Sequence, residues 1–333
     1  MKRQKPNEKV EKMRILAVDD NPFILDFLPA ILQKTDFRDV SVAASGPQAL
    51  DILAEAEAPF DCLLLDIEMP EMDGITLCRR IRSLDAYHDT PILMLTLKSD
   101  PVSIEQAFAA GANDYLTKPF EIKEMATRLR VAKRMTETSD KAPRLNPNTM
   151  TRNGLPGIHK FGLEDPVYVL GVNQLVLPFS LGNYLSQLSR SNLKICQAFA
   201  VKIDDIDALY RNGTSREFVS AIAAAAQAIA EVVDRTQLLM AYAGDGTILG
   251  IVTEEHPPVW HELEDRLQSA LDDMDLRDDD GRQMKVTLSV GRPVHPSANK
   301  TQRVKFTFDR VVRLAEARQA TKFKANENEV RSL

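Results

Sequence analysis

Residues 62–66, CLLLD, decide the fold. An unbroken apolar run reads as a strand buried on both faces, and its terminal carboxylate reads as a charge delivered to the edge of a sheet. The same form recurs along the chain: residues 15–18 (ILAV) end on Asp19 and Asp20, residues 92–95 (ILML) end on Thr96, and Lys118 precedes Pro119. In a doubly wound sheet of parallel strands the carboxyl ends converge on one edge, where ligands bind. That edge would gather carboxylates, a hydroxyl and an ammonium. Clustered carboxylates repel unless a cation lies among them, and hard oxygen ligands with room for water suit Mg2+. The predicted substrate is a phosphoryl group.

The segments ILAVDDNP (15–22), CLLLDIEMPEMDG (62–74), ILMLT (92–96) and GANDYLTKPF (111–120) resemble, in order and spacing, the receiver domain of two-component response regulators. The resemblance covers roughly residues 12–135 and implies a five-stranded, parallel, flavodoxin-like α/β fold. It implies that Asp66 is the phosphoacceptor, with Asp20, Asp66 and the backbone carbonyl of Glu68 holding Mg2+ and Asp19 orienting metal-bound water. Thr96 and Lys118 would contact the phosphoryl oxygens, and Tyr115 would be the aromatic switch that turns inward when Thr96 moves. The implied partners are a histidine kinase or phosphotransfer protein and a downstream protein, with a possible homodimer through the face that Tyr115 reports on. Simpler readings exist for single residues: Asp19, Asp20 and Asn21 before Pro22 suit a helix cap, and Asp73-Gly74 suits a turn and helix entry. The joint pattern outweighs them.

The chain has 333 residues, 44% hydrophobic and 27% charged, which predicts two soluble domains. A formal net charge of -6 offers no basic field for nucleic acid, so no DNA partner is expected. Residues 1–12 read as a basic, solvated tail rather than a signal peptide. The Ala-rich stretch 218–233 is interrupted by Ser220 and Gln227, predicting a helix but no membrane partner, and a cytoplasmic protein. Cys62, Cys78 and Cys196 lack CxxC spacing and are expected as buried thiols. Residues 121–135 (EIKEMATRLRVAKRM) predict an amphipathic helix with Ile122, Met125, Leu129 and Val131 on its apolar stripe. Pro, Gly and Asn then crowd the chain, so the expected boundaries are a receiver at 13–135, a linker at 136–165 and a second domain at 166–330.

In that second domain we expect a strand at 195–203, a helix at 214–234 and a hairpin of 238–243 and 247–253 around Gly244-Asp245-Gly246. A helix at 257–274, a strand at 285–291 and a helix at 308–322 complete an α+β sandwich. With AYAGDGTILGIV (241–252) as hairpin and VTLSVG (286–291) as later strand, residues from about 173 to 328 resemble the GGDEF domain of diguanylate cyclases, a nucleotide-cyclase palm-like fold.

This copy departs from the family pattern. The hairpin positions read Ala243, Gly244, Asp245, Gly246, Thr247, so Gly246 replaces the metal-binding Glu. Lys202 falls on the other metal carboxylate and Asp204 on the second Asp of that string; a slip of one or two residues would bring Asp204 or Asp205 there. The base-reading positions fall near Tyr210 and Arg216, the phosphate segment at LVLPFSL (175–181), and the inhibitory motif at Asp234 and Gln237. The expectation is a catalytically inactive output that binds protein. The alternatives are an active cyclase making cyclic di-GMP from GTP, and a non-catalytic nucleotide sensor. Asp204, Asp205 and Asp207 are expected as a capped, solvated turn, and Asp278, Asp279 and Asp280 as a surface turn. His159, His256, His261 and His295 lie at no ligand spacing.

Overall fold

The computed structural model describes residues 13–97, 101–137, 142–152, 154–172, 174–233, 237–254 and 259–331. The expected basic tail, Asp234 and His256 lie outside the described residues. The chain divides into two compact units, Met1–Lys141 and Ala142–Leu333.

The first unit alternates strand and helix: β1 (Arg14–Val18), α1 (Pro22–Leu32), β2 (Asp39–Ala43), α2 (Gly46–Glu55), β3 (Cys62–Asp66), α3 (Gly74–Arg82), β4 (Ile92–Thr96), α4 (Pro101–Ala109), β5 (Asp114–Thr117) and α5 (Ile122–Glu137). The five strands form one parallel sheet in the order β2-β1-β3-β4-β5. Every residue of β3 and β4 is buried, as their continuous apolar runs require of central strands covered on both faces. Leu28, Ile31 and Leu32 of α1 and Met125, Leu129 and Ala132 of α5 share one core with Ile15, Ala17, Leu64 and Leu95. Two members of the expected α5 stripe differ: Ile122 is exposed and Val131 half-buried, while Ala132 points inward. The sheet is centred on β3, and the reversal of strand order between β1 and β3 opens a crevice at their carboxyl ends.

The second unit begins with β6 (Arg144–Leu145), which pairs in parallel with β7 (Tyr168–Val169). There follow α6 (Pro178–Gln187), α7 (Arg190–Ile195), β8 (Cys196–Ile203), α8 (Ile206–Asn212), α9 (Ser215–Val233), β9 (Leu238–Tyr242), β10 (Thr247–Thr253), α10 (Leu263–Asp272), β11 (Leu288–Val290) and α11 (Arg303–Arg331). The sheet order is β11-β8-β10-β9 and all its pairings are antiparallel. Reading β8 to β11 along the chain gives strand, helices, hairpin, helix, strand, the split βαβ arrangement. Phe199, Val201 and Ile203 of β8 share a core with Phe218, Ile222 and Ile229 of α9.

Several expectations change here. The stretch 136–165 is not wholly a linker: β6 lies within it and Phe161 is buried in the second unit's core, so that unit starts near residue 142 rather than 166. Proline and glycine break regular elements, but they do not prevent an irregular segment from burying its aromatic residues. The strand at 285–291 shortens to β11, and the last helix runs from Arg303 to Arg331, well beyond the expected ends. The helix expected at 257–274 opens with a 3-10 turn at Trp260–Glu262, and residues 257–258 lie outside the described residues. The cysteines are free and buried. Among the described residues no helix is long and apolar enough to cross a membrane.

Candidate functional site

The ends of β1 and β3 bring Asp19, Asp20 and Asp66 together, with one carboxylate oxygen of each within 4.8 Å of the others. Among the described residues this is the acidic or metal-ligating group so clustered. Asp19 is buried; its Oδ1 accepts the Asn21 N–H at 3.0 Å, and Asn21 in turn caps α1 ahead of Pro22. Capping and site formation are therefore parts of one loop. Lys118, just after β5, donates from Nζ to Asp19 Oδ2 at 2.6 Å and to Asp66 Oδ1 at 2.8 Å. Its backbone N–H donates to the Thr96 carbonyl at 2.7 Å, tying the ammonium to the end of β4, where Thr96 itself is buried.

The helix after β3 presses on the same point. Asp73 caps α3 by accepting the Thr76 N–H at 2.6 Å, and a Cβ on Gly74 would lie 2.0 Å from the Asp66 carbonyl oxygen. Only glycine permits that approach. The intervening loop carries the exposed Glu68 and also Glu71, whose φ is 64°.

The electrostatics set one group against another. Burial pushes Asp66 up to about 6, the Lys118 hydrogen bond and charge pull it down, and Asp19 and Asp20 push it up again. Burial lowers Lys118, but its hydrogen bonds to Asp19 and Asp66 more than offset this, so the ammonium is held above its ordinary value. One ammonium among three carboxylates leaves net negative charge in a hard, all-oxygen donor set. That composition fits Mg2+, and the exposed Asp20 keeps the set open to water.

Tyr115 lies buried on β5 with its ring edge-on to Phe108 of α4, centroids 6.3 Å apart, and burial pushes its phenol up to about 12. Arg82 escaped the sequence reading. Its guanidinium donates to the carbonyls of Tyr87, Thr90 and Gly111 and to Asn113 Oδ1, joining the end of α3 to the approaches of β4 and β5. Nothing local marks it out from Arg79 and Arg80 beside it.

The second group of expected residues behaves differently. Lys202, buried at the end of β8, pairs with Asp245 Oδ2 at 2.8 Å and also donates to the Asp245 carbonyl. Gly244, Asp245 and Gly246 have φ of 94°, 46° and 65°, a run of left-handed residues at the β9–β10 turn. The Asp245 N–H donates to the Leu163 carbonyl at 2.8 Å, the Gly246 N–H to Tyr242 Oη at 3.1 Å. Asp204 corrects the expectation of a solvated turn: it is buried and accepts from Ser289 Oγ at 2.8 Å, Gln319 Nε2 at 3.0 Å and Lys322 Nζ at 3.0 Å. Asp205 takes φ 52° without capping α8, and Asp207 pairs with Arg211 one helical turn on. Asp279 is likewise more than a surface turn, accepting from Arg216 and from Thr214 Oγ1. Thus Arg216 is held by Asp279, and Tyr210 is stacked on His159 at 4.1 Å. The position of Gln237 is described; its expected motif partner Asp234 is not.

Comparison with known proteins agrees with the geometry of the first unit. Residues 15–130 match the family of the response regulator receiver domain. The chain is similar to the DNA-binding response regulator MtrA of Mycolicibacterium smegmatis, 40% identical over 126 residues, covering 38% of this chain and 53% of that one. It is also similar to the transcriptional regulatory protein ResD of Bacillus subtilis, 37% identical over 153 residues, covering 46% and 60%. Among solved structures, the Vibrio cholerae chemotaxis protein CheY4 is 33% identical with a TM-score of 0.35, covering 37% of this chain and 99% of that one. The chain spans little more than half the length of the curated relatives it matches. Residues 15–130 are a response regulator receiver domain.

Proposed function

We propose that the chain is a phosphorylation-controlled response regulator that accepts a phosphoryl group on Asp66 and signals through a catalytically inactive, GGDEF-like second unit. The observation that carries the first half is the meeting of Asp66 with Asp19, Asp20 and Lys118 at the crevice of the parallel sheet. A carboxylate oxygen of Asp66 attacks the phosphorus of a phosphohistidine or small acyl phosphate, the bond to the donor breaks, and the donor leaves with its electron pair. Lys118 is already paired with Asp66 and follows the transferred charge, so its ammonium meets the new phosphoryl oxygens without crossing the site. Thr96 supplies a hydroxyl from the neighbouring strand end, and Tyr115, packed on α4, is the reporter. Asp20, Asp66 and the Glu68 carbonyl would hold Mg2+, with Asp19 orienting its water; the ion would neutralise charge on the phosphoryl group during transfer.

The second half is supported by the hairpin. Where the cyclase family keeps a metal carboxylate this chain has Gly246, and the neighbouring Asp245 is already neutralised by the Lys202 ammonium. Unlike the receiver, where three carboxylates outnumber one ammonium, this turn sets its single acid against one lysine and leaves little negative charge for a divalent ion. The Asp245 N–H, which a nucleotide phosphate would need, is taken by the Leu163 carbonyl. On this reading the output acts by binding a protein. The matched relatives are named as DNA-binding or transcriptional regulators, but the matches cover only 38% and 46% of this chain, and the net charge of -6 favours a protein partner over DNA here.

Two assays test this. A small phosphodonor with Mg2+ should label wild-type protein and leave Asp66→Asn unlabelled. GTP with Mg2+ should yield no cyclic di-GMP with or without a phosphoryl mimic on Asp66; product formation would make the chain an enzyme, and saturable GTP binding without product would make it a nucleotide sensor.

A further inference from the structure

Residues 155–158, Leu-Pro-Gly-Ile, close a tight turn in which the Ile158 N–H donates to the Leu155 carbonyl at 3.2 Å. Pro156 sets its first corner and Gly157, with φ of 69°, its second, as a type II turn requires. The turn is fixed to the body of the second unit. The Gly157 N–H donates to the Gly213 carbonyl at 2.9 Å, an added Cβ on Gly157 would lie 2.5 Å from the Arg211 carbonyl oxygen, and the next residue, His159, is stacked on Tyr210. Yet Leu155 and Ile158 are 68% and 64% exposed, more than any other large apolar side chain of the unit among the described residues. A rigid turn that holds two branched side chains in water loses little freedom when a partner covers them.

The same unit has an open cavity of about 280 Å³ between the end of α10 and the loop that leads to β11. Leu271, Met274, Leu276 and Met284 supply its apolar walls, and the Met284 N–H donates to the Leu276 carbonyl at 2.8 Å across the loop. That volume lies just below the usual range for small-molecule pockets, about 300–1,000 Å³, and suits one or two aliphatic side chains. Methionine walls adapt to such a guest. Asp272 and Lys285 stand at the rim, with Asp273 and Asp275 exposed beside them. Between 272 and 285 six aspartates meet three basic residues, so the surround is acidic. The turn is flanked instead by the exposed Arg152, Lys160 and Arg211, of which Arg211 is engaged with Asp207.

Turn and cavity are neighbours. An added Cβ on Gly154 would lie 3.4 Å from Thr214 at the foot of the turn, and Thr214 Oγ1 donates to Asp279 Oδ2 at 3.0 Å on the loop that walls the cavity. Arg216 also donates to Asp279 and, at 3.3 Å, to the Arg277 carbonyl. A two-fold interface needs such a face, because each copy presents the same patch and must offer both halves of the contact. We propose that the second unit pairs with a second copy of this chain across this face. Leu155 and Ile158 of each copy enter the Met274–Met284 cavity of the other, and Arg152 and Lys160 meet the aspartates at its rim. Pairing of this kind uses no residue of the receiver and needs neither catalysis nor its absence at the 244–246 hairpin.

The test is sedimentation of the unphosphorylated full chain over a micromolar range, for wild type and two variants. Leu155→Asp with Ile158→Asp removes the inserted side chains. Gln283→Trp covers the cavity from an exposed lining position and leaves its apolar walls intact. Wild type should dimerise reversibly, and each variant should weaken the dimer at least about tenfold. Mixing the two variants should restore association between them, because the mixed pair keeps one intact turn facing one open cavity, a rescue that misfolded variants would not show. Asp272→Lys, which reverses charge at the rim, should also weaken the wild-type dimer. A monomeric wild type, a dimer that persists in both variants, or a mixture that stays monomeric would overturn the pairing.

Discussion

At Asp66 a buried carboxylate shares one lysine with a second acid, and the balance is unfavourable to its charge until a cation arrives. Its value of about 6 against an ordinary 3.8 gives the sign of the effect. Between those values the folded chain keeps a proton that the unfolded chain has lost, so metal-free stability falls as pH rises through that window. Asp66→Asn removes the term. In EDTA the variant should be more stable than wild type above pH 6 by on the order of 1 kcal/mol, and the difference should vanish below the ordinary carboxylate value; thermal melts across pH check this. Below pH 6 protons should also compete with Mg2+ for Asp66 and slow phosphoryl transfer. Glu71 makes a separate point. Its φ of 64° is a conformation that costs a non-glycine residue about 1–2 kcal/mol, so Glu71→Gly should raise the denaturation midpoint, by about 0.5–1 kcal/mol after the entropy of glycine is counted.

At the scale of elements, legibility followed the distance over which a residue's partners lie. The strand β3 could be read directly, because five buried residues in a row need only their own composition to declare a central strand. The same holds for α9 and the 244–246 hairpin, where helical periodicity and glycine at the turn are local signals. Asp204 could not be read, since Gln319 and Lys322, which bury it, lie 115 and 118 residues away. Nor could α6 to α8, whose short lengths and inserted Pro178, Gly182 and serines blur their period. The edge of β11 shows a further device absent from the pattern. The Leu288 N–H donates to Gln268 Oε1 at 3.1 Å and the Val290 N–H to Glu264 Oε2 at 2.9 Å, so two side chains of α10 cover donors that an edge strand would expose. Replacing both Glu264 and Gln268 with Ala should promote concentration-dependent association, visible in sedimentation, whereas Glu264→Gln should retain most of the protection.

Over the whole molecule, length and composition were enough to predict two cores, and the structure divides near residue 142. The boundary itself was misplaced because glycine and proline in 136–165 were read as freedom, while Phe161, Leu163 and His159 tie much of that stretch to the second unit. The receiver was legible as a site because the apolar runs of β1, β3 and β4 give way at their carboxyl ends to acids and a hydroxyl. The second unit was legible mainly as an order of strands and helices, and the structure shows what its polar groups meet: Lys202 on Asp245, Lys322 on Asp204, and the Leu163 carbonyl on the Asp245 N–H. On this account GTP with Mg2+ gives no product at any state of the receiver.

The central claim, that this chain is switched by phosphate on Asp66, is tested most directly by incubating the purified full chain with acetyl phosphate and Mg2+ and mapping the acid-labile phosphoryl group by mass spectrometry. The account predicts one such group on the peptide containing Asp66, absent in EDTA and absent from Asp66→Asn. Stable labelling of Asp66→Asn, or labelling of wild type at another residue, would contradict it.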